Sequence, residues 1–227
     1  MRRGGILREL IFLDIETYPC SDEVWKEFLA IRGVKGDETA EDLAVLQGRT
    51  SLTGLARIAS IGVAHGINNE AVAWTTEAQT EISLIDTFRD WLIEQVGRRS
   101  LHWVGWNIRE FDAPFLAQRS LVLDRPRLAL ALTGGLWNPK PWEVPILDLM
   151  EAWPSPNAEK YGKNGAARGH RRQSEVCRRL GLPVQTGALG ADMAQCIENG
   201  DWASVISHQL EDIRDLQRIY TRIRGAL

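Results

Sequence analysis

Short apolar runs alternate along this chain with longer amphipathic stretches. Residues 10–15, Leu-Ile-Phe-Leu-Asp-Ile, are apolar until acids close them, the pattern of a strand buried on both faces with its functional end at the C-terminus. Residues 57–64 alternate as a second strand should, and 70–75 are expected to pair with them across a turn at 65–69. Ile82, Ile85, Phe88, Leu92 and Val96 then recur at three- and four-residue spacing, which predicts one face of a helix. Residues 101–106 read as a fourth strand. A helix follows with Pro114 in its first turn, where proline's missing donor is not needed.

Residues 145–150 return to strand character, and the strand is expected to end at Asp148. A helix is expected over 173–180, stopped by Gly181. The last helix spans about 202–224, with the stripe Trp202, Val205, Ile206, Ile213, Leu216, Tyr220 and Ile223. Two stretches interrupt this order. Residues 20–54 are polar, with seven acids against four bases, and read as a partly helical insertion over 24–31 and 40–46. Residues 125–145 hold Pro126, Pro139, Pro141, Pro145 and two glycines and read as loop-like around one apolar run, with an insertion over about 125–142. Strands first, then a helix, a strand and more helices make a mixed α/β fold, an antiparallel hairpin layer beside parallel strands. At 227 residues the chain is expected to be one domain with two insertions.

Composition narrows the class. With 44% hydrophobic and 25% charged residues the chain is globular, not collagen-like, disordered or a disulfide scaffold. The net charge of −3 gives no global basic field, so any hold on nucleic acid must come from local patches or bound metal. The 22 Arg against 5 Lys suit phosphate, yet a GC-rich coding sequence would leave the same bias. Cys20, Cys177 and Cys196 are odd in number, far apart and in no metal-ligand pattern, and read as reduced thiols of an intracellular, cytoplasmic protein. No run of 18 apolar residues predicts a membrane span. Glu9, Asp14 and Glu16 interrupt the opening too soon for a signal peptide.

Three clusters carry chemistry. Asp14 and Glu16 stand at i and i+2, so a strand points both carboxylates to one face. The pair is equally compatible with a solvated strand end, but it follows an apolar run, where polar groups are costly unless they have a use. Asp112 falls where a helix begins, either as a cap or as a site residue, and Phe111 and Phe115 beside it read first as core. His208 and Asp212, four apart, share one face of the last helix and border its apolar stripe.

In this order and spacing the three clusters resemble the motifs of the DEDD superfamily of 3′–5′ exonucleases. The nearest likeness is to the proofreading domain of family-B DNA polymerases and the stand-alone exonucleases related to it. Leu13-Asp14-Ile15-Glu16-Thr17 is similar to the first motif, and Gly105-Trp106-Asn107-Ile108 with Phe111-Asp112-Ala113-Pro114-Phe115-Leu116 to the second, the most specific match. The resemblance covers roughly residues 8–19, 55–120 and 143–224. Its third motif departs from both branches: one has Tyr-x-x-x-Asp and the other His-x-x-x-x-Asp, whereas this chain has His208-x-x-x-Asp212. The longer spacing would need an acid where Ile213 stands, and Asp215 fits neither branch.

The resemblance implies an RNase H-like α/β fold, a mixed five-stranded sheet flanked by helices. It also implies two divalent ions, Mg²⁺ or Mn²⁺, held by Asp14, Glu16, Asp112 and Asp212. Hard oxygen donors suit those ions, and two ions about 3.5–4 Å apart activate water and stabilise the leaving oxygen together. His208 would stand in for the tyrosine, as a general base, a water-orienting group or a mark of lost activity. Carboxylates around it are expected to raise its pKa. Thr17, Asn107 and Phe111 are candidate substrate contacts. The expected substrate is the 3′ end of single-stranded DNA, with RNA or a non-catalytic nucleic-acid-binding module as alternatives, and a polymerase or replication protein as a candidate partner. Residues 157–179, with seven bases against two acids, form a candidate phosphate-touching stretch or a merely solvated loop.

Overall fold

The structure, a computed structural model, describes residues 9–20, 24, 56–97, 99–133, 145–153, 172–184 and 190–225. Most of the 20–54 stretch, the later part of 125–142, and Lys160, Lys163, Arg168 and Arg171 of the basic stretch lie outside them.

The chain is an α/β protein built on one open, mixed sheet. Strands β1 (Glu9–Tyr18), β2 (Arg57–His65), β3 (Val72–Thr75), β4 (Leu101–Gly105) and β5 (Ile146–Asp148) lie in the order β3-β2-β1-β4-β5. β2 runs antiparallel to β1 and β3, while β1, β4 and β5 are parallel. The central strand explains the apolar run: Ile11, Phe12 and Leu13 have no exposure at all.

Seven helices are described: α1 (Glu81–Val96), α2 (Asp112–Val122), α3 (Pro126–Leu132), α4 (Leu149–Ala152), α5 (Gln173–Arg179), α6 (Gly190–Glu198) and α7 (Trp202–Ile223). They cover both faces. Ile11, Leu13, Ile61 and Val63 point to one face, where α1 and α2 close a core with Phe88, Trp103 and Leu116. Phe12, Ala64 and Val104 point to the other, where α5 and α7 close a second core with Cys177, Ile213 and Leu216. Because strand side chains alternate, Asp14 shares the second face with Phe12, the face covered by α7. A buried ion pair ties the scaffold on the first face: Glu81 accepts from Arg119 Nε at 2.9 Å and from the Ile58 amide at 3.0 Å.

Two sequence expectations need correction. The apolar run within 125–142 is a helix, α3, begun by Pro126 at its first position and burying Leu128, Ala129 and Leu132. Strand β5 ends, as expected, at Asp148, whose side chain accepts the Met150 amide and so starts α4. On α1, Ile82 is 42% exposed and Leu84 is buried instead, because at about 100° per residue Ile82 stands a quarter-turn from the buried direction. Helix α6 had no distinct sequence signal. Among the described residues no helix is long and apolar enough to cross a membrane. Cys20, Cys177 and Cys196 are all free.

Candidate metal centre

The site forms where β1 outlasts its parallel neighbour. Pairing of β1 with β4 stops at Phe12–Val104, so the Ile15 amide beyond it has no strand partner there. Asp112, the first residue of α2, takes that place: its Oδ1 accepts the Ile15 amide at 3.1 Å, and the residue is 2% exposed. A carboxylate from the 105–112 turn is thereby fixed against the strand that bears Asp14 and Glu16.

The turn itself is built for close approach. A Cβ on Gly105 would lie 2.7 Å from Ile108 Cβ and 2.9 Å from the Leu13 carbonyl, so only glycine fits. Asn107 adopts the left-handed conformation at φ 57°. Asp148 pins the turn by accepting the Asn107 amide at 3.0 Å and the Arg109 amide at 3.1 Å. Burial pushes the Asp148 carboxyl above its ordinary range, against the pull of these amides.

From the opposite side, α7 brings His208, Gln209 and Asp212. His208 Nε2 lies 3.2 Å from Asp212 Oδ2 and 3.5 Å from Glu16 Oε1, and donor atoms of Glu16, His208 and Asp212 all fall within 4.8 Å of one another. Gln209, fully buried, donates from Nε2 to Asp14 Oδ2 and accepts the Ser60 hydroxyl on Oε1. The strand register makes this contact possible, since Asp14 pairs with Gly62 and Glu16 with Ser60 on the same face. A Cβ on Gly62 would come within 2.5 Å of Gln209 Cγ, so the absent side chain is the space Gln209 occupies. One residue further, the β1–β2 register shifts between Glu16 and Thr17, an irregularity that re-aims side chains at a strand end.

The electrostatics are those of mutually repelling carboxylates. Asp14 is raised well above the ordinary aspartate range, first by burial and then by Asp112, Asp212 and Glu16. Burial, with Asp212 and Asp112, lifts Glu16 to about 8. Asp112 and Asp212 each rise to about 7, both chiefly through burial. Among the described residues no Lys or Arg pairs with any of the four. Burial pushes His208 down, not up. The expected rise fails because the carboxylates are themselves driven toward their neutral forms, leaving desolvation of the imidazolium in command.

Four hard carboxylates in one partly buried cluster fit a divalent cation, because only a shared positive charge lets all of them ionise together. Asp215 does not belong to the cluster: it is 2% exposed and bonds Arg218 Nη1 at 2.7 Å. Phe111 packs its ring 5.6 Å from that of Phe115 and lies against the first core. The described end of the basic stretch does reach the site, since Gln173, at the start of α5, donates to the Asp212 carbonyl at 2.9 Å.

Gln209, Ser60, Gly62 and Asp148 are the residues the sequence reading passed over. Their only signals were a glutamine beside His208, a glycine inside a strand and an acid closing another strand, each commonplace alone. No family model matches this chain, and no curated protein matches it.

Proposed function

We propose that the protein is a metal-dependent phosphodiesterase. More particularly, it is a DEDD-type 3′–5′ exonuclease on an RNase H-like fold, acting on single-stranded 3′ ends with DNA favoured and releasing nucleoside 5′-monophosphates. The observation that carries this reading is the convergence of Asp14, Glu16, Asp112 and Asp212 from β1, α2 and α7 into one partly buried cluster whose carboxyls are all raised. The mixed five-stranded sheet flanked by helices is consistent with the fold.

Asp14, Glu16 and Asp212 would hold one ion, with Asp14 shared and Asp112 turned to a second. Two bound divalent ions supply a nucleophilic water at neutral pH and offset the charge on the leaving oxygen. The chain's own part is to fix these ligands: Gln209 orients Asp14, and the Ile15 amide orients Asp112. The left-handed Asn107 turn, pinned by Asp148, presents its backbone beside them. Exposed Arg172 and Arg178, on the segment tied to Asp212, supply cations for the substrate's phosphates.

The test is a paired digestion. Single-stranded deoxy- and ribo-oligonucleotides of one sequence, labelled at the 5′ end, are incubated with the full chain and Mg²⁺ or Mn²⁺. A ladder shortening from the 3′ end, faster on DNA and abolished by EDTA, is expected. A faster ribo-ladder would make the protein an exoribonuclease. Binding without any ladder would make it a nucleic-acid-binding module and overturn the enzymatic reading.

A further inference from the structure

We propose that His208 is a direct ligand of the bound ion, and that Glu16, His208 and Asp212 form a mixed nitrogen–oxygen site selecting a first-row transition ion such as Mn²⁺ over Mg²⁺. The inference rests on the hydrolase reading for the use made of the ion, but its geometry is independent of any reaction. Two donors sharing one ion at about 2.1 Å stand about 3.0 Å apart at a right angle and about 3.4 Å apart at the tetrahedral angle. The separation of 3.2 Å from His208 Nε2 to Asp212 falls in that range, and the 3.5 Å to Glu16 lies just above its upper end.

A hydrogen bond accounts for them less well. One Nε2–H cannot be aimed at both acids, and 3.5 Å to Glu16 lies beyond the ordinary N–H···O range. His208 and Asp212 stand four residues apart on α7, the spacing at which a helix presents two ligands on one face, and Glu16 on β1 closes the set from the sheet. The ring is 8% exposed, so these acids are its nearest charged neighbours in a largely desolvated position.

Donor chemistry then decides the ion. Carboxylate sets suit Mg²⁺, Ca²⁺ and Mn²⁺, while imidazole favours the transition metals. A histidine at this position therefore moves the site toward Mn²⁺ and its heavier neighbours. It also removes the ring from service as a base, because the lone pair that would take a proton is the one bound to the ion.

The experiment needs no substrate. The metal-free full chain is loaded with one equivalent of Mn²⁺ and studied by pulsed electron paramagnetic resonance, which reads the nitrogen nucleus of a coordinated imidazole. Calorimetry measures Mn²⁺ and Mg²⁺ affinity for the parent, His208→Gln and His208→Ala. The nitrogen signal is expected in the parent and absent from both variants. Mn²⁺ affinity is expected to fall at least about tenfold, the low end of the cost of losing even an outer partner of a ligand, with Mg²⁺ affinity falling less. A parent without the nitrogen signal, or equal losses for the two ions, overturns the proposal even if oligonucleotides are degraded. A nitrogen signal in a protein that degrades nothing leaves this site standing and removes the exonuclease reading. The parent spectrum decides the matter even if a variant fails to fold.

Discussion

The two ends of strand β1 carry the same kind of side chain in opposite circumstances. At its start, Glu9 bonds His65 Nε2 at 2.7 Å and Arg99 Nη1 at 2.6 Å, and these partners hold its carboxyl below the usual range. At its far end, Asp14 and Glu16 meet other acids, and both are raised. The first end is finished within the chain and needs nothing added. The second, on the proposed reading, takes its compensating charge from a bound cation. An acid whose charge the protein itself compensates is a structural group; acids left uncompensated in a partly buried cluster mark a candidate site.

That contrast is broken most sharply by substitution. Asp14→Ala, Asp112→Ala and Asp212→Ala are each expected to abolish metal-dependent hydrolysis while leaving circular dichroism unchanged, and Glu9→Gln to leave hydrolysis at the parent's rate. Retained hydrolysis in Asp212→Ala, or loss of it in Glu9→Gln, would erase the distinction between the two ends.

A smaller effect is expected one layer out. Gly62→Ala drives a methyl into Gln209 and so displaces the amide that orients Asp14. Overpacking of this kind costs about 1–3 kcal/mol of stability, and metal affinity should fall by about 10-fold to 100-fold, as for lost outer-shell support. Gln209→Ala should lower affinity similarly without the overpacking. A Gly62→Ala protein with reduced melting temperature but parental Mn²⁺ affinity would show that Gln209 only fills space.

The smallest effect, and the most direct reading of the comparison, is in the pH dependence of stability. Glu16 titrates near 8 and Asp112 and Asp212 near 7 in the folded chain, against about 4 when unfolded. Between those limits the folded state holds protons the unfolded state has lost, so stability falls as pH rises from about 4 to about 8. Glu9 works with the opposite sign: its folded pKa is depressed, so its contribution is present above about 4.3 and fades as pH drops further. Melting temperatures of the metal-free protein should therefore decline from mildly acid to mildly alkaline pH. Mn²⁺ should recover more stability at pH 8 than at pH 5, and Glu9→Gln should flatten only the acid limb. A metal-free profile that rises from pH 5 to pH 8 would contradict the site's electrostatics.

Much of the architecture could be read along the chain. The runs at 10–15, 57–64 and 101–106 are strands because neighbouring chain segments cover both their faces, and such burial leaves a local apolar record. Asp14, Glu16, Asp112, His208 and Asp212 were legible as candidates because short-range periodicity of strand and helix sets which residues share a face. The helix over 126–132 was harder to see, since one turn or two among prolines carries too few apolar positions to reveal a period.

By itself the sequence determined local matters: which segments are strands or long helices, which acids stand at their ends, and that Asp212 keeps helical step with His208. Tertiary structure alone decided how those pieces meet. The pairing of Asp14 with Gly62 and of Glu16 with Ser60, the seat this gives Gln209, and the capture of the Ile15 amide by Asp112 all join residues far apart in the chain. The direction of His208's shift belongs there too. Charge counted along the chain predicts a rise, but the outcome depends on desolvation and on whether the neighbouring acids stay ionised, and both are properties of a buried site that exists only once the sheet and α7 have packed.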